Sequence, residues 1–297
     1  MMKSGFVSLI GRPNVGKSTL LNAILDFKVA ITSDKAQTTR NIIQGIYNES
    51  DVQIVFLDTP GIHKPKNKLG KILNKESYSL TKDVDVILFV VDAKSGIGKG
   101  DKFILESLKK SSSPVILVLN KIDKMSKEEL IYAIEEAKDL FPFAEIVPVS
   151  ALKKDNTKHL IEVIKSYLTG TTRYFDEEMV TSSPMSFIAS ELVREKLLDQ
   201  TIEEVPHSLT CVTTKYEEKA NLISISVDII VDRDSIKRIV IGHGGERLKS
   251  VGSLARKELE QMTGKQVYLE LYVKTIKNWK EKESYLNELG FREMNLK

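Results

Sequence analysis

The sequence predicts an α/β domain built on a mostly parallel sheet, followed by a smaller α+β domain. Three observations predict it. Between residues 6 and 168, apolar runs of strand length alternate with amphipathic stretches of helix length, as parallel strands joined by crossover helices require. Near residues 169–185 this periodicity stops, in favour of Thr169-Gly170-Thr171-Thr172, acidic Asp176-Glu177-Glu178 and Thr181-Ser182-Ser183-Pro184, which are loop formers. Beyond it the order changes to helix, two strands, two helices and a strand. The expected division is therefore 1–170, a linker at 171–185, and 186–297.

The elements follow in order. Phe6–Ile10 reads as a buried strand that enters a glycine-rich turn, and Ser18–Leu25 as a helix with Leu20, Leu21, Ile24 and Leu25 on its apolar face. Residues 28–40 are polar and irregular. Asn41–Tyr47 and Val52–Asp58 form two strands around a turn at Asn48-Glu49-Ser50-Asp51. A lysine-rich loop without clear periodicity is expected after Gly61. Val84–Val91, Pro114–Leu119 and Glu145–Pro148 are further strands, with helices at about 101–110, 126–140 and 156–168. In the second domain, helices are expected at 186–200, 234–241 and 246–262. Strands are expected at His207–Tyr216, Leu222–Val231 and Gln266–Val273, ahead of a C-terminal helix holding Trp279.

Composition bounds the class. The 297 residues suffice for two domains of about 100–200 residues. At 41% hydrophobic and 29% charged, the chain can bury a core and is not of the disordered class. Cys211 stands alone, which excludes an internal disulfide and points to a reducing compartment; in its alternating strand it reads as a buried small side chain. The first apolar run starts directly after Met1-Met2-Lys3-Ser4-Gly5, so no cleavable leader is expected. No run approaches the ~20 apolar residues of a membrane span. The net charge of +3 is too small to establish an anionic partner by itself.

Gly11-Arg12-Pro13-Asn14-Val15-Gly16-Lys17-Ser18 fits Gly-x-x-x-x-Gly-Lys-Ser/Thr without departure, with a strand before it and a helix after. Glycines let the main chain wrap a phosphate chain, and the helix that carries Ser18 and Thr19 turns its positive dipole end toward it. Lys17 can reach the terminal phosphates and Ser18 can bind magnesium. The base is chosen elsewhere. Asn120-Lys121-Ile122-Asp123 ends a central strand at the carboxyl edge, where ligands bind in open α/β sheets. Asp123 can accept from N1–H and the 2-amino group of guanine, and adenine offers neither; such a loss of partners discriminates by about 10⁴–10⁵. Asn120 would bridge base and loop, the Lys121 stem would cover the base, and backbone N–H groups of Ser150-Ala151-Leu152 can reach O6.

Asp58-Thr59-Pro60-Gly61 ends a strand, with Asp58 placed to hold magnesium through water and the Gly61 N–H to sense a γ-phosphate. Of Thr38-Thr39, Thr39 is expected to complete the magnesium shell when GTP is bound, so both segments are switches. Lys17, Thr39, Gly61 and Asn14 are the candidate catalytic set. Ile62 follows Gly61 where a water-orienting glutamine would serve Ras-like enzymes, and an aliphatic chain cannot orient water. Asn14 is a candidate to help hold a potassium ion against the phosphates, supplying the positive charge phosphoryl transfer needs. His63 is expected to be an exposed loop residue.

Ile241-Gly242-His243-Gly244-Gly245 places Gly-x-x-Gly between two helices. With flanking strands and nearby basic residues this is the KH arrangement, whose loop clamps about four single-stranded nucleotides. His243, Arg247 and Lys249 supply charge; Lys237, Arg238, Arg256 and Lys257 extend it; Ile239, Val240 and Ile241 are expected to wall the groove. Lys274–Lys280 is a second basic-aromatic stretch, open to two readings: RNA contact, or Trp279 anchoring a terminal helix on the core with the lysines in water.

With these residues in place, the chain resembles the Era family of bacterial GTPases over essentially its whole length. Gly11–Ser18, Ala36-Gln37-Thr38-Thr39-Arg40, Asp58–Gly61, Asn120–Asp123, Phe187–Lys196 and Val273–Trp279 carry the resemblance. It implies GTP hydrolysis with magnesium, binding of 16S rRNA near its 3′ end, and action in assembly of the small (30S) ribosomal subunit. It also implies a monomeric cytoplasmic protein with peripheral membrane association. His243 stands where a lysine is frequent, which implies weaker phosphate contact at high pH. Two other classes remain open: a GTP-gated RNA-binding scaffold with negligible turnover, and a GTPase whose main partner is a protein or membrane surface.

Overall fold

A computed structural model describes residues 2–35, 38–65 and 67–291. Six strands form the first sheet: β1 (Lys3–Ile10), β2 (Ile43–Glu49), β3 (Val52–Asp58), β4 (Val86–Asp92), β5 (Val115–Asn120) and β6 (Glu145–Val149). Their spatial order is β2-β3-β1-β4-β5-β6, with only β2 antiparallel. Alternation explains how this sheet is covered on both faces. Val86, Leu88 and Val90 of β4, with Ile116 and Val118 of β5, face α1 (Lys17–Leu25) and α5 (Thr157–Tyr167). Their neighbours Ile87, Phe89, Val91, Leu117 and Leu119 face α3 (Lys99–Leu108) and α4 (Lys127–Lys138). The register aligns Leu9 with Asp58 and Asp92 with Asn120, so the turns after β1, β3, β5 and β6 meet at one carboxyl edge.

Residues 68–79 are not the aperiodic loop expected. Lys68–Ser79 is helix α2, capped by Asn67, whose Oδ1 accepts from the Gly70 N–H at 2.8 Å. Its buried positions Leu69, Ile72 and Leu73 follow helical spacing, but three lysines and Gly70 dilute the pattern.

The second sheet, β7 (Leu209–Glu218), β8 (Leu222–Val231) and β9 (Gln266–Thr275), pairs β7 antiparallel and β9 parallel to β8. Helices α6 (Met185–Asp199), α8 (Asp234–Ile241) and α9 (Glu246–Thr263) pack on one face of it. His207 lies in a helical turn, α7 (Val205–Ser208), rather than in the strand. Trp279 lies in a turn ahead of α10 (Glu283–Glu288), not within the helix. It is fully buried, and its indole N–H donates to the Ser208 carbonyl at 3.3 Å. That geometry fits the anchoring reading. Lys274 pairs with Asp228, and Lys280 donates to the His207 carbonyl.

Two features join the halves. Leu69, Ile72 and Leu73 of α2 share a core with Ile230, Trp279, Leu286 and Phe291. Residues 173–181 run along the first sheet: Gln53 bonds both Tyr174 and Phe175, Asn48 the Met179 carbonyl, and Thr181 the Gln44 carbonyl. No described helix is long and apolar enough to cross a membrane.

Candidate nucleotide site and nucleic-acid interface

The loop Gly11–Ser18 leaves β1 and enters α1 at Gly16, whose φ of 97° only glycine adopts freely. A Cβ there would also lie 2.3 Å from the Asn120 amide nitrogen. Lys17 is buried under the loop, its ammonium donating to the Gly11 and Arg12 carbonyls at 3.2 and 3.1 Å. Burial lowers its pKa to about 8, against the pull of Asp58. Opposite it, Ser18 Oγ lies 2.5 Å from Asp58 Oδ2 and 2.8 Å from Thr39 Oγ1. Burial raises Asp58 to about 6, while Lys17 and these hydroxyls hold it down. Its other oxygen, Oδ1, is buried without a partner.

The two hydroxyls and the Asp58 carboxylate, with its orphaned Oδ1, are hard donors that fit magnesium. Among the described residues no group of three His, Cys, Asp or Glu converges, so no denser ligand cage competes. Thr39, predicted from sequence, is therefore drawn to Ser18 and Asp58 from a segment otherwise remote from them. The neighbouring Ala36 and Gln37 lie outside the described residues.

The second switch touches the first loop directly. Ile62 N–H donates to the Gly11 carbonyl at 3.1 Å, and a Cβ on Gly61 would lie 2.6 Å from the Pro13 nitrogen. The Ile62 side chain is buried in the core beneath, away from the site. His63 is not the exposed residue expected: its Nδ1 is 2.9 Å from the Gly61 carbonyl, and Asn74 bonds its backbone on both sides.

Several predicted nucleotide-binding residues have structural side chains. Arg12 turns to Asp101 at 3.2 Å; Thr59 donates to the Leu9 carbonyl at 2.7 Å; Val15 is core. Asn120 braces two loops, donating to the Val15 carbonyl and accepting from the Lys121 and Ala151 N–H groups. Lys121 stretches over the first loop to the Asn14 carbonyl (2.6 Å) and Asp92 (2.8 Å). Asp123 accepts from Ser150 Oγ at 2.5 Å through Oδ1, and Leu152 is exposed. Pro13, Asn14, Gly16, Lys17, Ser18, Thr19, Thr38, Thr39 and Gly61 line one continuous pocket.

In the second domain, Gly242, Gly244 and Gly245 all have positive φ. At Gly242 a Cβ would meet the Arg247 backbone, whereas Gly244 and Gly245 face open space where a phosphate can approach the main chain. Arg247 donates to the Ile239 carbonyl, closing the turn. His243 and Lys249 are exposed. Of the three residues expected to wall the groove, Val240 is core, whereas Ile239 is exposed and Ile241 half-buried. A groove of about 440 Å³ opens between α9 and β9, lined by Leu248, Lys249, Gly252, Arg256, Tyr268 and Leu271. Exposed Tyr268 and Tyr272 alternate outward along β9.

Residues 6–121 match the family model described as 50S ribosome-binding GTPase, and residues 204–280 match that of the KH domain. Fold and site together define the class: a P-loop GTPase joined in one chain to a KH domain. Among solved structures, a variant of Aquifex aeolicus Era bound to GDP.AlF4− is 42% identical to this chain. It has a TM-score of 0.94 over 98% of this chain and 99% of that one. An Era in complex with MgGDPNP and nucleotides 1506–1542 of 16S ribosomal RNA is also 42% identical, at a TM-score of 0.93 and the same coverage. The chain belongs to the Era family.

Proposed function

We propose that this protein binds and hydrolyses GTP with magnesium, binds 16S rRNA near its 3′ end through the KH domain, and acts in small-subunit assembly. The observation that carries the reading is the union, in one chain, of a guanine-type loop, the Ser18–Asp58–Thr39 oxygen set and a Gly-x-x-Gly loop beside an aromatic groove. It is supported by 42% identity to an Era crystallised with MgGDPNP and a 16S fragment.

The roles follow from position. Lys17 and the Gly11–Ser18 amides hold the β- and γ-phosphates. Ser18, Thr39 and Asp58 would hold magnesium, which would supply positive charge against the phosphate chain. Asp123 pairs with guanine. The Gly61 N–H meets the γ-phosphate. Asn14 donates to the Asp34 carbonyl through Nδ2, so its Oδ1 is the atom that would take potassium. Gly242–Gly245, with His243, Arg247 and Lys249, meet the RNA backbone. The division into 1–170, 171–185 and 186–297 belongs to the same proposal, with any pivot at Ser183–Pro184, since Ser182 still bonds Gln44. A monomeric cytoplasmic protein with peripheral membrane contact completes the reading; sedimentation and cell fractionation test it.

The test is binding of the full-length protein to a single-stranded 16S 3′-end RNA, with a non-hydrolysable GTP analogue and with GDP, at stated salt. Tight binding only with the analogue is expected, lost in Gly244→Asp. Equal affinity in both states overturns the switch. The buried Ile62 favours a second reading, a gated scaffold with negligible turnover. Phosphate release in potassium but not sodium decides against it and in favour of Asn14.

A further inference from the structure

The first switch segment is gripped by a helix of the other domain. The Thr32 N–H donates to Glu195 Oε1 at 2.9 Å, and the Thr38 carbonyl accepts from Arg194 Nη2. Both acceptor and donor belong to α6. Neither side chain is left to swing. Arg194, fully buried, is held by Glu191 through Nε–Oε1 at 2.8 Å and Nη2–Oε2 at 2.5 Å. Glu195 is held by Lys28 at 2.5 Å and Lys196 at 2.9 Å, and both lysines also reach Glu258 at 2.6 Å.

The Thr38 carbonyl belongs to the peptide group that continues into Thr39. Fixing that plane restricts where the Thr39 side chain points, and its hydroxyl lies 2.8 Å from Ser18 Oγ. A buried guanidinium that loses an acceptor is left with an unsatisfied charged donor. Arg194 already carries one unpartnered nitrogen, Nη1, so it strongly favours the backbone position in which Thr38 is within reach.

We propose that α6 is an internal clamp on the first switch, in which Arg194 and Glu195 are positioning residues that preset Thr39 for magnesium and GTP. Neither touches the nucleotide. The proposal rests on the assignment of Thr39 to the magnesium shell. Simple glue between domains would act alike in both nucleotide states. A clamp acting through Thr39 must discriminate, because only a state that uses Thr39 gains from its placement.

The experiment compares full-length wild type, Arg194→Gln, Arg194→Lys, Glu195→Gln and Thr39→Ala. Dissociation constants are measured for the non-hydrolysable GTP analogue and for GDP, with a magnesium titration of each and a melting curve. Arg194→Gln is expected to weaken the analogue by about tenfold, the order of one lost charge-assisted hydrogen bond. It should raise the magnesium midpoint for the analogue and leave GDP unchanged. Arg194→Lys should recover part of the loss, and Glu195→Gln should act in the same direction. If Arg194→Gln does not fold, Glu195→Gln and Arg194→Lys carry the test. A selective loss in Thr39→Ala without one in the α6 variants overturns the clamp. So does an equal change in analogue and GDP. No selective loss in Thr39→Ala overturns the magnesium assignment and the clamp with it.

Discussion

At the scale of single residues, the nucleotide site is decided by close approaches. Gly61 lies so near Pro13 that a methyl group would press on two backbone atoms, at 2.6 and 2.7 Å. Neither can yield without moving the phosphate loop. Gly61→Ala is expected to cut GTP hydrolysis about 100-fold, as ångström-scale misplacement does, with GDP affinity within a few fold; steady-state phosphate release and GDP titration check both. Glu76 gives a prediction in pH. Burial raises its carboxyl to about 7, above its ordinary value, so the folded state holds the proton more tightly than the unfolded. Its stabilising contribution is therefore present at low pH and lost as pH rises through 7. Glu76→Gln, a permanent mimic of the neutral form, should raise Tm at pH 8 and leave it unchanged near pH 4. The loops themselves were legible in the sequence because phosphate and guanine recognition demand fixed residue types at fixed spacing. The side-chain partners of Arg12, Thr59 and Asn120 were not legible, because Asp101, Leu9 and Val15 lie on other elements.

At the scale of elements, strands of the first sheet were the easiest to read, since a strand buried on both faces is apolar throughout, as in Val86–Val91. Helix α2 was the hardest. Its apolar face covers the other domain, so only a narrow stripe is apolar, and lysines occupy the rest. Asn67 was the one local sign of its start. Asn67→Ala should cost about 1 kcal/mol, read as a lowered urea midpoint, because the Gly70 N–H loses its acceptor. Helix α6 reads from sequence as an ordinary helix, yet ten of its fifteen residues are buried, charged ones among them. That burial is explained by what lies against it, the first switch and β7, and no periodicity announces switch partners more than 150 positions away.

At the scale of the whole molecule, the two halves are tied through both switches. The guanidinium of Arg40, at the end of the first switch, donates to the carbonyls of Leu209 at 2.6 Å and Pro206 at 3.2 Å, and lies 5.8 Å from the Trp279 ring. Helix α2, after the second switch, rests on the same tryptophan's core. Trp279→Ala should cost about 3–5 kcal/mol and separate the unfolding of the two halves, so that nucleotide release and loss of second-domain structure no longer coincide in a melt. Trp279 is also the single tryptophan of the chain. Its emission thus comes from one place, the seam where a switch cation faces an indole sealed from water. Excitation at the red edge of tyrosine absorbance gives a blue-shifted signal from the closed seam alone. Any nucleotide or RNA that parts Arg40 from the ring changes that colour and intensity, so the opening of the seam can be timed by stopped flow without attaching a dye.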